Sequence, residues 1–180
     1  MDLPPRPRSY SFSPVQGFAN EYVGWLAAAL AETTERHFDF ARRLPAKLLD
    51  ARLGEAPSSV LQVTSHLGWA DAYWLGCLRG EAIPVDEVLD RDLHEPPSPF
   101  TLVETIAACN TVRETGLAYL RRVTDPHLSL PWRGDGKLTV HGVLMHLIWH
   151  WTYHSGQCGE IALAHGHSHP WAFEQHVGRI

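Results

Sequence analysis

Apolar side chains recur at helical spacing in four stretches of the chain, separated by segments rich in proline, glycine and small polar residues. Residues three or four positions apart share one face of an α-helix, so this spacing predicts amphipathic helices with one buried side. The four stretches run approximately over residues 15–44, 58–80, 99–123 and 139–166. Four such helices and no convincing strands predict an all-α protein with the architecture of a four-helix bundle.

Residues that favour helix ends mark the boundaries of these stretches. Pro45 and Gly80 follow the first and second helices, where proline and glycine commonly end a helix. Hydroxyl N-caps, which accept hydrogen bonds from free backbone N–H groups, are predicted at Ser58 or Ser59, at Ser98 before Pro99, and at Thr139. Residues 81–98 are predicted to form a long loop, and residues 134–136 a tight turn or small hairpin.

The flanking segments differ from the bundle in composition. Residues 1–14 are rich in proline and arginine and are predicted to form an extended arm, residues 15–166 the bundle domain, and residues 167–180 a tail. The arm lacks the apolar run of a signal peptide, and no stretch approaches the roughly 18 uninterrupted apolar residues of a membrane helix. We therefore expect a cytoplasmic protein that does not associate with membranes.

Charge and cysteine content narrow the possible functions. The net charge of −5 at pH 7 argues against nucleic-acid binding, which usually needs a basic surface. Three widely spaced cysteines do not form a disulfide framework, and each lies in an apolar helical stretch where it is expected to pack as a small hydrophobic residue: Cys77, Cys109 and Cys158. The unusual count is 12 histidines, each a possible ligand, base or proton switch near neutral pH.

Three histidines lie on one side of the predicted fourth helix. His146, His150 and His154 follow one another at intervals of four residues, and Gln157 lies seven residues after His150. Residues at these intervals fall on nearly the same line along a helix. A stripe of imidazoles and an amide among leucine, isoleucine and tryptophan is typical of one half of a metal site.

The other half is predicted on the second helix, where His66 lies on the apolar face. Metal sites in helical bundles are built from side chains on facing helices. His66, His150 and His154 would together supply three neutral nitrogen ligands. Three protein ligands leave a position for water or substrate, as in catalytic zinc sites, although imidazole also suits nickel, iron and copper.

Two further residues of the fourth helix compete for a place in this shell. His146 is an alternative third ligand or a hydrogen-bond partner of a ligand, and Cys158 is either a thiolate ligand or, more simply, a packed thiol. A fourth ligand from either residue would close the shell and favour a non-catalytic role. Imidazoles bind metal only when neutral, so we expect a three-histidine site to lose its metal as the pH falls from 7 to about 5.

Other polar residues on the predicted inner faces are candidates to orient substrate or ligands. Tyr73 lies two turns after His66, and Gln157 follows the histidine pair. Asn110 and Arg113 interrupt the apolar face of the third helix; both line a cavity, or Arg113 extends to solvent at a boundary. His37, on the inner face of the first helix, is expected to be a hydrogen-bonded core histidine because nothing near it has ligand spacing.

Two motifs resemble those of a known family. SHLGWADAYW in the second helix, followed by HLIWHWTYHSGQ near the C-terminus, is similar to the DinB/YfiT-like metalloenzyme family of DNA-damage-inducible type. The resemblance covers roughly residues 15–166, and the His-x-x-Tyr-His-x-Gly-Gln element is its specific part. Its metal ligands, one on the second helix and two on the last, match His66, His150 and His154. The family often has an acidic residue where this chain has Trp151, and an arginine where it has Ser155.

The resemblance implies a four-helix bundle with an unusual helix order, a divalent metal ion that is most often zinc or nickel, and a homodimer. Relatives that use low-molecular-weight thiols include bacillithiol S-transferases, mycothiol-dependent maleylpyruvate isomerase and the thiol-binding domain of ergothioneine-synthesising enzymes. We therefore expect a metal-dependent thiol S-transferase that acts on small electrophiles with such a thiol as cosubstrate. The alternatives are a metal-dependent hydrolase and a non-catalytic metal-binding protein of the stress response.

Overall fold

A computed structural model describes residues 14–54, 58–81 and 100–168 of the chain. Within these ranges, four long helices, one short helix and one hairpin follow in chain order: α1 (Glu21–Arg43), α2 (Ala46–Leu49), α3 (Val60–Leu78), α4 (Leu102–Leu120), β1 (Leu130–Trp132), β2 (Gly136–Leu138) and α5 (Val140–Ala164). The predicted all-α fold is confirmed, with α1, α3, α4 and α5 as its four long helices. Most of the predicted arm, of the loop over residues 81–98 and of the tail lies outside the described residues.

Hydroxyl caps begin the two helices that carry the histidines. Ser59 accepts a hydrogen bond from the backbone N–H of Gln62 in α3, and Thr139 accepts one from that of Gly142 in α5. Each cap satisfies a backbone donor that would otherwise have no partner in the first turn. Both N-caps are therefore where the sequence predicted them.

The predicted start of the third helix near Pro99 is wrong, because α4 begins at Leu102. Thr101 is its N-cap and forms a capping box with Glu104, in which each side chain accepts a hydrogen bond from the other residue's backbone N–H. Two backbone donors are satisfied at once, which a proline in the first turn does not achieve. Similarly, α1 begins at Glu21 after an Asn20 cap, several residues later than predicted.

The helix α3 lies between α4 and α5, and α1 packs on α5 and, less extensively, on α4. The core between them is built from aliphatic and aromatic side chains, of which the largest that are fully buried are Trp151, Phe38, Phe40, Leu67, Leu120, Leu144 and Leu147. The pairing of α3 with α5 matters most for function, because each carries part of the histidine group. Among the described helices, none is both long and apolar enough to cross a membrane.

Small residues let α3 and α4 approach each other closely. A Cβ atom at Gly116 of α4 would lie only 2.6 Å from Cδ1 of Leu75 on α3, and one at Gly68 of α3 would collide with Sγ of Cys109 on α4. A larger residue at either position would force the Leu75 or Cys109 side chain to move in a packed interface. The contact with α4 therefore helps to hold α3, which also packs on α5.

A two-stranded hairpin precedes α5 and confirms the turn predicted over residues 134–136. The antiparallel strands β1 and β2 pair Leu130 with Leu138 and Trp132 with Gly136. Gly134 has a φ of +59°, in the left-handed region that favours glycine. The expectation of no strands is therefore corrected by two strands of three residues each. The indole N–H of Trp132 donates to the Tyr73 hydroxyl at 3.3 Å and joins the hairpin to α3.

A buried ion pair links three helices beneath the core. Asp71 of α3 is fully buried; its Oδ1 accepts a hydrogen bond from the Trp151 indole of α5 at 2.8 Å, and its Oδ2 lies 3.6 Å from Nε of Arg113 on α4. Burial raises the pKa of Asp71 to about 6, against the opposing effects of Arg113 and the Trp151 hydrogen bond. The Arg113 guanidinium also lies over the rings of Phe38 and Trp151.

We expect Asp71→Asn to reduce the free energy of unfolding by about 3 to 5 kcal/mol at pH 8, because it leaves the Arg113 cation buried without its counter-ion. Asparagine still offers an oxygen to Trp151, so the charge is the main change. The double variant Asp71→Asn/Arg113→Met should recover most of this loss in urea denaturation. A double variant as unstable as the sum of the two single variants would show that the ion pair is not coupled.

Candidate metal centre

Three imidazoles from two helices converge on one point. His66 of α3 and His150 and His154 of α5 place their Nε2 atoms together: the Nε2 of His150 lies 3.2 Å from that of His66 and 3.0 Å from that of His154. One ring nitrogen of each of the three residues lies within 4.8 Å of the others. The four-residue interval on α5 and the packing of α3 against it therefore bring together the three histidines singled out in the sequence.

The spacing of these nitrogens fits a shared divalent ion. Two ligands of a tetrahedral zinc ion with bonds of about 2.0 to 2.1 Å lie about 3.3 Å apart, close to the two distances between nitrogens given above. Within the described residues, this is the one group of three or more histidine, cysteine or acidic side chains with metal-site spacing. Its three ligands are all neutral nitrogens, which suit zinc, nickel and other late first-row metals.

Hydrogen bonds among the three rings cannot satisfy all of their nitrogen atoms. The Nε2 of His150 contacts two other imidazole nitrogens, yet each nitrogen of a neutral ring is either a donor or an acceptor. In addition, the buried Nδ1 atoms of His66 and His150 have no hydrogen-bond partner among the described residues. Three lone pairs directed at one cation would remove the conflict at Nε2, so the residues present fit a metal ion.

Burial keeps these imidazoles neutral. Desolvation is the main cause that lowers the pKa of His66 to about 4 and of His150 to about 3, and the charge of His154 adds to both effects. The pKa of His154 is also lowered by burial, although its hydrogen bond to Gln157 acts in the opposite direction. Neutral imidazole is the form that binds metal, so the site is prepared for a cation at physiological pH.

His37 supports the site from α1 without belonging to it. It is fully buried, with Nδ1 3.0 Å from the Ser155 hydroxyl and Nε2 2.9 Å from the Thr64 hydroxyl. Burial, followed by the charge of His154, lowers the pKa of His37 to about 3. The expected hydrogen-bonded core histidine is confirmed. Its partners, Ser155 and Thr64, lie one and two residues from His154 and His66, respectively.

Gln157 and Tyr153 extend the site along α5. The Oε1 atom of Gln157 lies 2.6 Å from Nδ1 of His154, and its Nε2 donates to the Tyr153 hydroxyl at 3.2 Å. Gln157 was a candidate from the sequence, whereas Tyr153 was missed. Its interval of four residues from Gln157 was the available signal, because residues at that spacing meet on a helix surface.

Neither His146 nor Cys158 joins the converging nitrogens. The ring of His146 stacks on that of His150, with centroids 5.5 Å apart, and meets the edge of Trp74 at 5.0 Å. Cys158 is fully buried and does not belong to the converging ligand group, which favours a packed thiol over a thiolate ligand, and burial raises the pKa of its thiol to about 12. These two residues therefore leave the three-histidine shell open.

The remaining candidates from the sequence lie apart from the histidine group. Tyr73 is buried and bonded to Trp132, and Arg113 is paired with Asp71 rather than extended to solvent. Asn110 is exposed, so its predicted place on the inner face of α4 is wrong. The apolar face of α4 is carried instead by Ile106, Cys109 and Leu120, and Asn110 falls outside that stripe. Roles for these three residues in substrate binding stay predictions.

A bundle of helices that brings together one buried and two half-buried imidazoles is a fold that could hold a divalent metal ion. The family model of the DinB superfamily matches residues 14–158, and the chain belongs to this superfamily. A comparison with curated proteins found no match. The two positions where the chain departs from the family pattern are both tied to the core, Trp151 through Asp71 and Ser155 through His37.

The lowered pKa values of the three histidines correct the expectation that metal is lost between pH 7 and about pH 5. The loss is now expected at lower pH. Protons compete for His66 and His150 only below pKa values of about 4 and about 3, and the pKa of His154 is lowered as well, so we expect zinc affinity to fall less between pH 7 and pH 5 than at a site of ordinary imidazoles and to fall steeply below about pH 4. Competition with a chelating dye, with circular dichroism at each pH, would measure this. A steep loss that begins near pH 6.5 would contradict the buried, neutral site.

Proposed function

We propose that this chain is a divalent-metal-dependent thiol S-transferase that acts on small electrophiles. The observation that carries the proposal is the convergence of three neutral nitrogens, from His66, His150 and His154, on one point. His66, His150 and His154 would hold the ion, with zinc or nickel as the preferred metals. A three-ligand shell leaves a position that an external molecule can occupy.

The two buried cysteines are poor internal nucleophiles, which favours a nucleophile that comes from outside. Cys158, one turn after His154, is fully buried with a pKa of about 12, and the pKa of buried Cys109 is likewise raised to about 12. A thiol with such a pKa has almost no thiolate at neutral pH and is a poor nucleophile. A low-molecular-weight thiol as cosubstrate therefore fits better than a covalent intermediate on these residues.

The reaction would transfer the thiol sulfur to an electrophilic carbon. When bound, the metal supplies the positive charge that favours loss of the thiol proton at neutral pH. The sulfur electron pair forms the new sulfur–carbon bond, the leaving group departs with the electrons of the broken bond, and the thiol proton passes to solvent. The chain contributes the neutral ligands, and the half-buried position of His150 and His154 keeps one side of the site accessible.

Exposed rings beside the ligands give a surface for a small organic substrate. Trp149 is 57% exposed and Tyr153 is 50% exposed, their rings stack with centroids 5.4 Å apart, and they lie next in sequence to His150 and His154. Flat apolar molecules stack on such rings. In the same proposal the chain is a cytoplasmic homodimer, in which large exposed side chains of α5 such as Met145 would be covered.

The test is turnover by zinc- or nickel-loaded protein with a small thiol and a chloro-substituted aromatic electrophile. We expect a thiol-dependent product, lost in His150→Ala and retained in His127→Ala, because His127 is an exposed histidine outside the convergent group. A rate that is equal in the two variants would contradict catalysis at this site.

The hydrolase alternative is separated by omitting the thiol. Metal-assisted hydrolysis uses water as the nucleophile, so an ester or amide would be cleaved by the loaded protein without any thiol. Such turnover, lost in His150→Ala and unaffected by added thiol, would replace the transferase proposal. Metal binding without turnover of either class of substrate would favour the alternative of a non-catalytic metal-binding protein.

A further inference from the structure

A hydrogen-bonded chain runs from the histidine group to the exposed surface of α5. His154 Nδ1 lies 2.6 Å from Oε1 of Gln157, and Nε2 of Gln157 donates to the Tyr153 hydroxyl at 3.2 Å. The opposite ring nitrogen of His154 faces His150, with 3.0 Å between the two Nε2 atoms. Gln157 therefore contacts His154 on the side away from the convergence point.

The partner of Nδ1 decides what His154 presents to the site. A neutral imidazole carries one N–H and one lone pair. A carbonyl oxygen only accepts hydrogen bonds, so with Oε1 of Gln157 beside it, Nδ1 carries the hydrogen and Nε2 keeps the lone pair. If the amide were reversed, its NH₂ group would donate to Nδ1, and the hydrogen would move to Nε2. An N–H would then point into the site, where it blocks coordination.

Tyr153 holds the amide in its place beside the ring. Its hydroxyl oxygen accepts the N–H of Gln157, which satisfies the second end of the side chain. The Tyr153 ring is itself fixed, stacked on Trp149 and edge-to-face with His154 at 5.1 Å between centroids. A long, exposed glutamine side chain would otherwise sample several rotamers.

We propose that Gln157, anchored by Tyr153, is a positioning residue that holds His154 in the tautomer whose Nε2 lone pair faces the metal. This inference rests on the metal site of the proposed function. Hydrogen-bond partners of this kind orient the ligand ring and raise its basicity, and their loss typically weakens metal affinity by about 10-fold to 100-fold.

The first experiment measures zinc affinity by competition with a chelating dye. Gln157→Leu removes the acceptor and should weaken affinity by about 10-fold or more. Gln157→Glu keeps an acceptor at Nδ1 and should bind as tightly as the parent or more tightly. Tyr153→Phe keeps the ring and loses the anchor, so its loss should be smaller. Glu160→Leu, a comparable change on the exposed side of α5, should have no effect.

The rescue by glutamate distinguishes the tautomer role from simple packing. If Gln157→Leu binds zinc as well as the parent, or if Gln157→Glu binds as poorly as Gln157→Leu, the inference is overturned while the metal site stands. Circular dichroism of each variant shows whether it is folded, and substitutions at these exposed positions should leave the fold intact.

The second experiment reads the tautomer directly, without metal. Long-range ¹H–¹⁵N spectra of histidine-labelled protein should show His154 protonated at Nδ1 in the parent, with a larger Nε2-protonated population in Gln157→Leu. An Nε2-protonated His154 in the metal-free parent would overturn the inference. Because this experiment needs no metal, it still tests the inference if the parent binds no zinc. In that case the proposed function would fail, and the tautomer of His154 would be judged separately.

Discussion

The packing of α3 against α5 forces three imidazole rings into one small space, and most of the surrounding structure follows from this contact. Nitrogens 3.0 and 3.2 Å apart cannot all carry protons, because like charges at that distance in a buried site repel strongly. Burial is the main cause that lowers the pKa values of His66, His150 and His154, and for His66 and His150 the neighbouring histidine charge adds to it. The lone pairs of the neutral rings are directed at each other, and a metal cation between them could bind all three.

The core holds this strained group in place through residues next to the ligands. Thr64 and Ser155 bond the fully buried His37 of α1, and Trp151 bonds Asp71 on α3. Thr64, Ser155 and Trp151 each lie within two residues of a histidine of the group, so neither helix can rotate without breaking a buried polar contact. Rigid placement of this kind is what a preorganised metal site requires.

The four long helices and the histidine group could be predicted from the sequence, because helix period and histidine spacing are local signals. The four-residue interval placed His150 and His154 together, and the apolar face placed His66 opposite them. The start of α4 was placed too early because the Thr101–Glu104 capping box, at which the helix begins, was not recognised in the sequence. Asn110 was misplaced because a small angular error moves a residue from the inner face of a helix to its surface.

Other features could not be reached from the sequence because they depend on tertiary contacts. Nothing local indicates that Asp71 would meet Arg113 and Trp151, since the three residues come from three helices. The depressed pKa values likewise result from burial, which is known only once the helices are packed. The role of Tyr153 depends on side-chain hydrogen bonds that a motif does not specify.

The most direct test of the account is the metal content of the purified chain beside a His66→Ala/His150→Ala double variant. Both proteins would be washed with a chelator, refilled with zinc or nickel, desalted and subjected to elemental analysis. We expect about one metal ion per parent chain, because the three histidines form one ligand shell, and none in the folded double variant. Equal metal content in the two proteins would contradict the three-histidine centre.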